Sequence, residues 1–152
     1  MRIRRPDASD LPDIQLVLSE TELFPPDMLS EMIEPFLTGS VGDERWLVCD
    51  TSEGVVGFSY LRREPLTEGT WNLLAIGFRS KHQGAGYGAK LIAEVERSLV
   101  GERILIVDTS SLDQFDATRH FYESCGYVQA SVIRDYWADG DDKVTFWKRL
   151  SG

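Results

Sequence analysis

The sequence predicts an α/β fold in which a central mixed β-sheet carries helices on both faces. Three features point there. Residues 70–78 and 104–107 are short, strongly apolar runs of the kind expected for strands covered on both faces. A glycine-rich turn and an amphipathic segment lie between them, so strand, turn, helix and strand follow in the order of a right-handed crossover between parallel strands. The chain then closes with two more strand-like runs joined by a polar tip, which adds antiparallel neighbours.

Taken in order, residues 3–5 form a short first strand. Asp10, with Asp13 three residues on, marks a helix start, and Leu11, Ile14, Val17 and Leu18 give that helix an apolar face. Beyond Pro25 and Pro26, the residues Met28, Leu29, Met32 and Ile33 predict a second helix, which Pro35 kinks or ends and Gly39 closes. Residues 45–50 and 55–63 read as two strands about the turn Thr51-Ser52-Glu53-Gly54. After the strand at 70–78, Leu91, Ile92, Val95 and Leu99 share one side of a helix. A further helix spans about 116–125 and stops at Gly126. The last two strands, near 127–137 and 144–150, flank Ala138-Asp139-Gly140-Asp141-Asp142. No repeat, low-complexity tract or linker interrupts this order, so residues 1–152 are expected to form a single domain.

Composition narrows the function. With 152 residues, 42% hydrophobic and 27% charged, the chain can bury a continuous core without staples. No apolar run approaches the roughly 20 residues of a membrane helix. Met1-Arg2-Ile3-Arg4-Arg5 leads straight into Pro6 and Asp7, without the apolar stretch of a signal peptide. A cytoplasmic protein with no membrane partner is expected. The net charge of −9 argues against nucleic acid, whose binding rests on Lys and Arg neutralising phosphates. Cys49 and Cys125 make neither a disulfide framework nor a metal spacing and read as buried thiols. His82 and His120 lack partners at metal spacing, so no metal is expected.

One local exception to the acidity stands out. From Arg79 to Lys90 the chain carries Arg79, Lys81 and Lys90 and no acid, a positive island where an anion could sit. Within it, Gln83-Gly84-Ala85-Gly86-Tyr87-Gly88 lies between a buried strand and a helix. Glycines let the backbone bend close to a ligand, and the helix start offers unpaired N–H groups with the positive end of the dipole. That suits a pyrophosphate. The spacing is neither the dinucleotide fingerprint nor the P-loop, which needs Gly-Lys-Ser/Thr. On the residues alone, a phosphate cradle and a plain strand-to-helix turn explain it equally.

The turn, and the later Phe121-Tyr122-Glu123-Ser124-Cys125-Gly126-Tyr127, resemble two motifs of the GNAT superfamily of N-acetyltransferases in the family's order. Gln83, Gly86 and Gly88 match its Gln/Arg-x-x-Gly-x-Gly/Ala pattern, with Gly84 a common companion, and the likeness runs along essentially the whole chain. The resemblance implies a GNAT-like fold with acetyl-coenzyme A as co-substrate. Its pyrophosphate would be cradled by Gln83, Gly84, Ala85, Gly86, Tyr87 and Gly88. Its pantetheine arm would bond backbone near Ile76 and Phe78, with the Ile76 amide polarising the thioester carbonyl. Tyr122, which in isolation reads as aromatic packing on a helix, matches the general acid that protonates the departing thiolate.

Two positions depart from the family. Asn72 stands where some members carry a glutamate base, and Phe115 replaces an asparagine seven residues before the tyrosine. Asp108, at the end of the 104–107 strand, is then the nearest candidate base by topology, or else caps the loop Thr109-Ser110-Ser111; Glu68 is a weaker candidate. The expected reaction is acetyl transfer from acetyl-coenzyme A to the amine of a small molecule or amino acid. A non-catalytic acyl-coenzyme A-binding module and a protein N-acetyltransferase are the alternatives, and a homodimer is admitted. Asp135, Asp139, Asp141 and Asp142 form an acidic tip that either steers a cationic acceptor or serves only turn geometry. Tyr136 and Trp137 beside it line an acceptor pocket or cover a sheet edge. Trp46, Trp71 and Trp147 read as core.

Overall fold

The computed structural model describes residues 1–39 and 42–150, so the single-domain reading of 1–152 includes four residues outside the described ones. Among the described residues, seven strands run in the order β1-β2-β3-β4-β5-β7-β6. The chain divides into two compact units, Met1–Arg62 with Leu74–Ser98 and Arg63–Leu73 with Leu99–Gly152.

The first unit opens with β1 (Arg2–Arg4), followed by a 3₁₀ turn at Ala8–Asp10 and helix α1 (Leu11–Thr21). Helix α1 starts directly after Asp10, as expected, but the capping hydrogen bonds lie one turn earlier, on the 3₁₀ turn. Asp7 accepts from the Ser9 amide, and Asp10 accepts from the Asp7 amide, in a reciprocal capping box. Asp10 is also buried and held by both outer nitrogens of Arg4, at 2.8 and 2.9 Å. The Arg4 guanidinium keeps its carboxyl below the usual carboxylate range. Asp13 is released for another task, accepting the Val55 amide at 3.1 Å.

Helix α2 (Leu29–Leu37) follows a 3₁₀ turn at Pro26–Met28 and runs through Pro35 without ending there. Gly39, at φ +70°, comes two residues after its end, as a left-handed glycine does at a helix terminus. Strands β2 (Glu44–Thr51) and β3 (Gly54–Arg63) pair antiparallel, with a register shift between Cys49 and Asp50. Ile14, Val17, Leu18, Leu29, Ile33, Phe36, Trp46 and Phe58 are among the residues of the core they enclose. Trp46 stacks on Tyr60 at 4.3 Å and on Phe58 at 5.9 Å. Such pairs add about 0.5–1.5 kcal/mol each beyond the area they bury.

Strand β4 (Thr70–Phe78) has the expected limits, and α3 (Tyr87–Ser98) buries Leu91, Ile92 and Val95. In the second unit, β5 (Ile104–Ser110) lies parallel to the first half of β4, Thr70 opposite Ile104 and Leu73 opposite Val107. It is longer than expected and buries one face rather than two: Leu105, Val107 and Thr109 point inward while the residues between them stay half-buried. Helix α4 (Asp116–Ser124) ends before Gly126, whose φ is +93°. Strands β6 (Val128–Ala138) and β7 (Asp141–Arg149) form the final hairpin, with β7 antiparallel to β5. Trp46 and Trp71 are core residues, whereas Trp147 is half-buried. Among the described residues no helix is long and apolar enough to cross a membrane.

Cys49 is fully buried in β2, but Cys125 is only partly so, contrary to expectation. Burial pushes the Cys49 thiol from 9.0 up to about 12. A raised folded-state value means that its share of stability is complete below 9.0 and is lost as pH climbs through about 12. Iodoacetamide at about pH 8 should therefore leave Cys49 unmodified in the folded chain and label it in urea. Rapid labelling without denaturant would show that β2 opens.

Candidate active site

The end of β4 and the turn behind it belong wholly to the first unit. Ile76 is half-buried and Phe78 buried. Phe78 packs where β3 has no side chain: a Cβ on Gly57 would lie 2.3 Å from its ring. The Phe78 carbonyl accepts from the side-chain amide of Gln83 at 3.0 Å. Gln83 thus braces the turn against the strand that precedes it. Beyond it, Gly84 at φ +78° and Gly86 at φ +84° use backbone that other residues rarely adopt. A Cβ on either would meet nothing within 4 Å, so both glycines face open space.

Tyr87 then starts α3, with Gly88 in its first turn and no acid there. The Lys90 amide makes a long helical bond to the Gly86 carbonyl at 3.4 Å. An α-helix leaves its first N–H groups without an intrahelical acceptor, and here no acid stands in the first turn and Gly84 and Gly86 have open space beside them. The turn therefore offers a backbone seat for an anion.

The positive island, however, is largely cancelled. Arg79 pairs with Glu20 at 2.9 Å and Lys81 with Glu53 at 2.6 Å. The Ser80 amide and then the Arg79 guanidinium hold the Glu20 carboxyl below the usual carboxylate range. Lys81 and then His82 do the same for Glu53. His82 is buried in a 3₁₀ turn, bonds Glu53 through Nε2 at 3.0 Å and stacks on Tyr87 at 6.1 Å. Lys90 alone of the three cations lies on α3, 6.0 Å from the Tyr87 ring centroid.

The remaining predicted residues lie in the second unit. Tyr122 is buried on α4 among aromatics, with ring centroids of Phe121, Tyr127 and Phe146 at 5.3, 6.0 and 6.1 Å. Burial pushes its phenol well above the ordinary value. Asp108 lies inside β5 and caps no loop. Its Oδ1 accepts from the Thr145 hydroxyl at 2.6 Å and its Oδ2 from Asn72 Nδ2 at 3.3 Å. The same Asn72 nitrogen donates to Glu64 Oε1 at 3.0 Å. Glu68 stands exposed against Arg103 at 3.8 Å.

Residues 42–129 match the acetyltransferase (GNAT) domain family. The chain is a GNAT acetyltransferase. Over 99% of both chains it superposes on a GNAT-family protein from Desulfovibrio desulfuricans, with TM-score 0.90 and 26% identity. The fold also matches the ribosomal-protein-S18-alanine N-acetyltransferase of Escherichia coli, with TM-score 0.80, 16% identity and coverage of 99% and 94%. The spermidine N-acetyltransferase of Vibrio cholerae, solved with CoA and spermine, gives TM-score 0.81 at 16% identity, over 98% and 95% of the two chains. No curated protein matches in sequence.

In this acetyltransferase the acidic tip is tied into its own hairpin and to the neighbouring end of β5. Asp141 accepts from the Ser110 hydroxyl at 2.5 Å, Asp142 from the Asp135 amide at 3.0 Å, and Asp135 from the Gly140 amide at 2.9 Å. Tyr136 and Trp137 meet edge to face at 4.8 Å and stay about half exposed, with Trp137 donating to the Thr109 carbonyl. Among the described residues no group of three or more His, Cys, Asp or Glu could hold a metal ion.

Glu64, half-buried, and Thr145, buried, are the members of this polar set that sequence reasoning passed over. The local signal for Glu64 is its place after β3, and its amide folds back onto the Thr70 carbonyl at 2.8 Å.

Proposed function

We propose that the chain transfers the acetyl group of acetyl-coenzyme A to the primary amine of a small molecule or amino acid, acting as one domain. The observation that carries this reading is the open, acid-free turn at Gly84 and Gly86 in a GNAT acetyltransferase. Its amides suit the pyrophosphate, since a hydrogen bond to a charged group contributes about 1.5–3 kcal/mol. Ala85, Tyr87 and Gly88 supply further backbone of that cradle, and Gln83 holds it in place. The Ile76 amide polarises the thioester carbonyl, and backbone at Phe78 guides the pantetheine arm.

The co-substrate supplies an acyl group activated as a thioester. Asp108 takes one proton from the acceptor ammonium, freeing the lone pair on nitrogen. As the C–N bond forms and the C–S bond breaks, Tyr122 gives its phenolic proton to the leaving sulfur. The second proton lost by nitrogen restores the phenol, and Asp108 releases its proton to water. Per turnover one amide, one thiol and one proton are produced.

The test is calorimetric titration with acetyl-coenzyme A, followed by a panel of small amines and amino acids read as free thiol. Saturable binding and amine-dependent thiol release are expected. Binding with no release across the panel would leave an acyl-coenzyme A-binding module, and release only with a peptide N-terminus would move the acceptor to proteins.

A further inference from the structure

Asn72, 6% exposed, sits on β4 between two carboxylates. Ionised carboxylates only accept, so the amide must turn its nitrogen to Glu64 and Asp108. Both nitrogen protons are then used, one on each acid. The other end of the same amide, Oδ1, is buried and has no partner among the described residues. A buried oxygen without a donor has lost its water and gained nothing in return, which makes it an unusual thing to leave in place.

The charge balance is just as incomplete. Glu64 and Asp108 converge on one nitrogen, at 3.0 and 3.3 Å, and among the described residues neither forms an ion pair. Thr145, opposite Asp108 in the β5–β7 register, fixes one oxygen of that acid by a 2.6 Å bond. The set therefore lacks a cation, and it lacks a donor for Asn72 Oδ1. One chemical group supplies both at once. A primary ammonium brings a positive charge and three N–H donors on a single atom.

We propose that Glu64, Asn72 and Asp108 form a seat for a primary alkylammonium, the amine end of the acceptor. This rests on the proposed amine acceptor and adds Glu64 as a residue that selects it. Asn72, which cannot take a proton, orients the two acids and spends its oxygen on the substrate. Asp108 is then the acid that accepts the proton, and Glu64 holds the charge before transfer. A tertiary or quaternary amine, with one N–H or none, fits this seat poorly.

The test uses the full chain and two probes of equal charge, butylammonium and tetramethylammonium, titrated while the Asn72 side-chain amide is followed by NMR. Butylammonium should saturate and shift that resonance, and tetramethylammonium should not. Glu64→Gln, which can still accept from Asn72, should weaken butylammonium binding at least about tenfold and leave the acetyl-coenzyme A Kd unchanged. Thr145→Val is the second variant should Glu64→Gln fail to fold, and it should weaken butylammonium binding through Asp108. Equal binding of the two probes, or an unchanged butylammonium Kd in the folded variants, overturns the seat. Butylammonium binding with no thiol release for any amine would keep the seat and sink the proposed reaction. Thiol release with the same amine KM in parent and Glu64→Gln would do the reverse.

Discussion

Tyr122→Phe is expected to lower kcat by about 10²–10⁴-fold while the Kd for acetyl-coenzyme A stays within about twofold. The ring keeps its contacts with Phe121, Tyr127 and Phe146, so only the proton donor disappears. Loss of one hydroxyl should cost about 1 kcal/mol of stability or less, too little to mimic a catalytic defect. Burial also fixes the pH behaviour. A phenol pushed up from its ordinary value stays protonated well past pH 10, so the parent should show no fall in activity there on account of Tyr122. Proton transfer from so reluctant an acid requires a leaving thiolate that is equally short of water. A variant with parental kcat on a confirmed acceptor would reduce Tyr122 to packing.

Gly86→Glu is expected to abolish acetyl-coenzyme A binding. Two effects combine at φ +84°. A side chain on left-handed backbone costs about 1 kcal/mol, and the carboxylate brings negative charge to the seat proposed for a diphosphate. Because a Cβ there meets no atom within 4 Å, the fold should survive with a melting point only a few degrees lower. Acetyl-coenzyme A should then raise the melting temperature of the parent but not of the variant. Gly86→Ala separates the effects: strain without charge should weaken binding partially. Equal ligand stabilisation of parent and Gly86→Glu would remove the turn from the cofactor site.

Much of this was legible in the sequence, and where it was not the reason is spatial. The limits of β4 followed from an apolar run stopping at a glycine-rich turn, a local signal, whereas α3 starts inside that turn, at Tyr87. The positive island is weaker in space than along the chain, because local absence of acid is not absence in space: Glu20 and Glu53 come from 59 and 28 residues away to pair with Arg79 and Lys81. Asp108 was singled out by its place near a strand end, but nothing in the chain order links it to Glu64, Asn72 and Thr145. Those residues meet only because β4 runs parallel to β5 and β7 antiparallel to it. The burial of β5 was overestimated because its apolar run at 104–107 hides the alternation that the whole strand shows. Asp10 read as a helix start, yet its stronger tie is to Arg4, an arginine on a strand.

The packing of Phe78 against Gly57 limits how this protein can drift. Any side chain added at position 57 displaces the phenyl ring, and a smaller residue at position 78 leaves a void beside the strand. The two positions can change only in concert. The same phenylalanine lends its carbonyl to Gln83, so a paired replacement that repacked the interior would still have to return that oxygen to its place. A turn whose Gly84 and Gly86 meet no neighbour is in this way held to its shape by the packing of the residue that ends the strand before it.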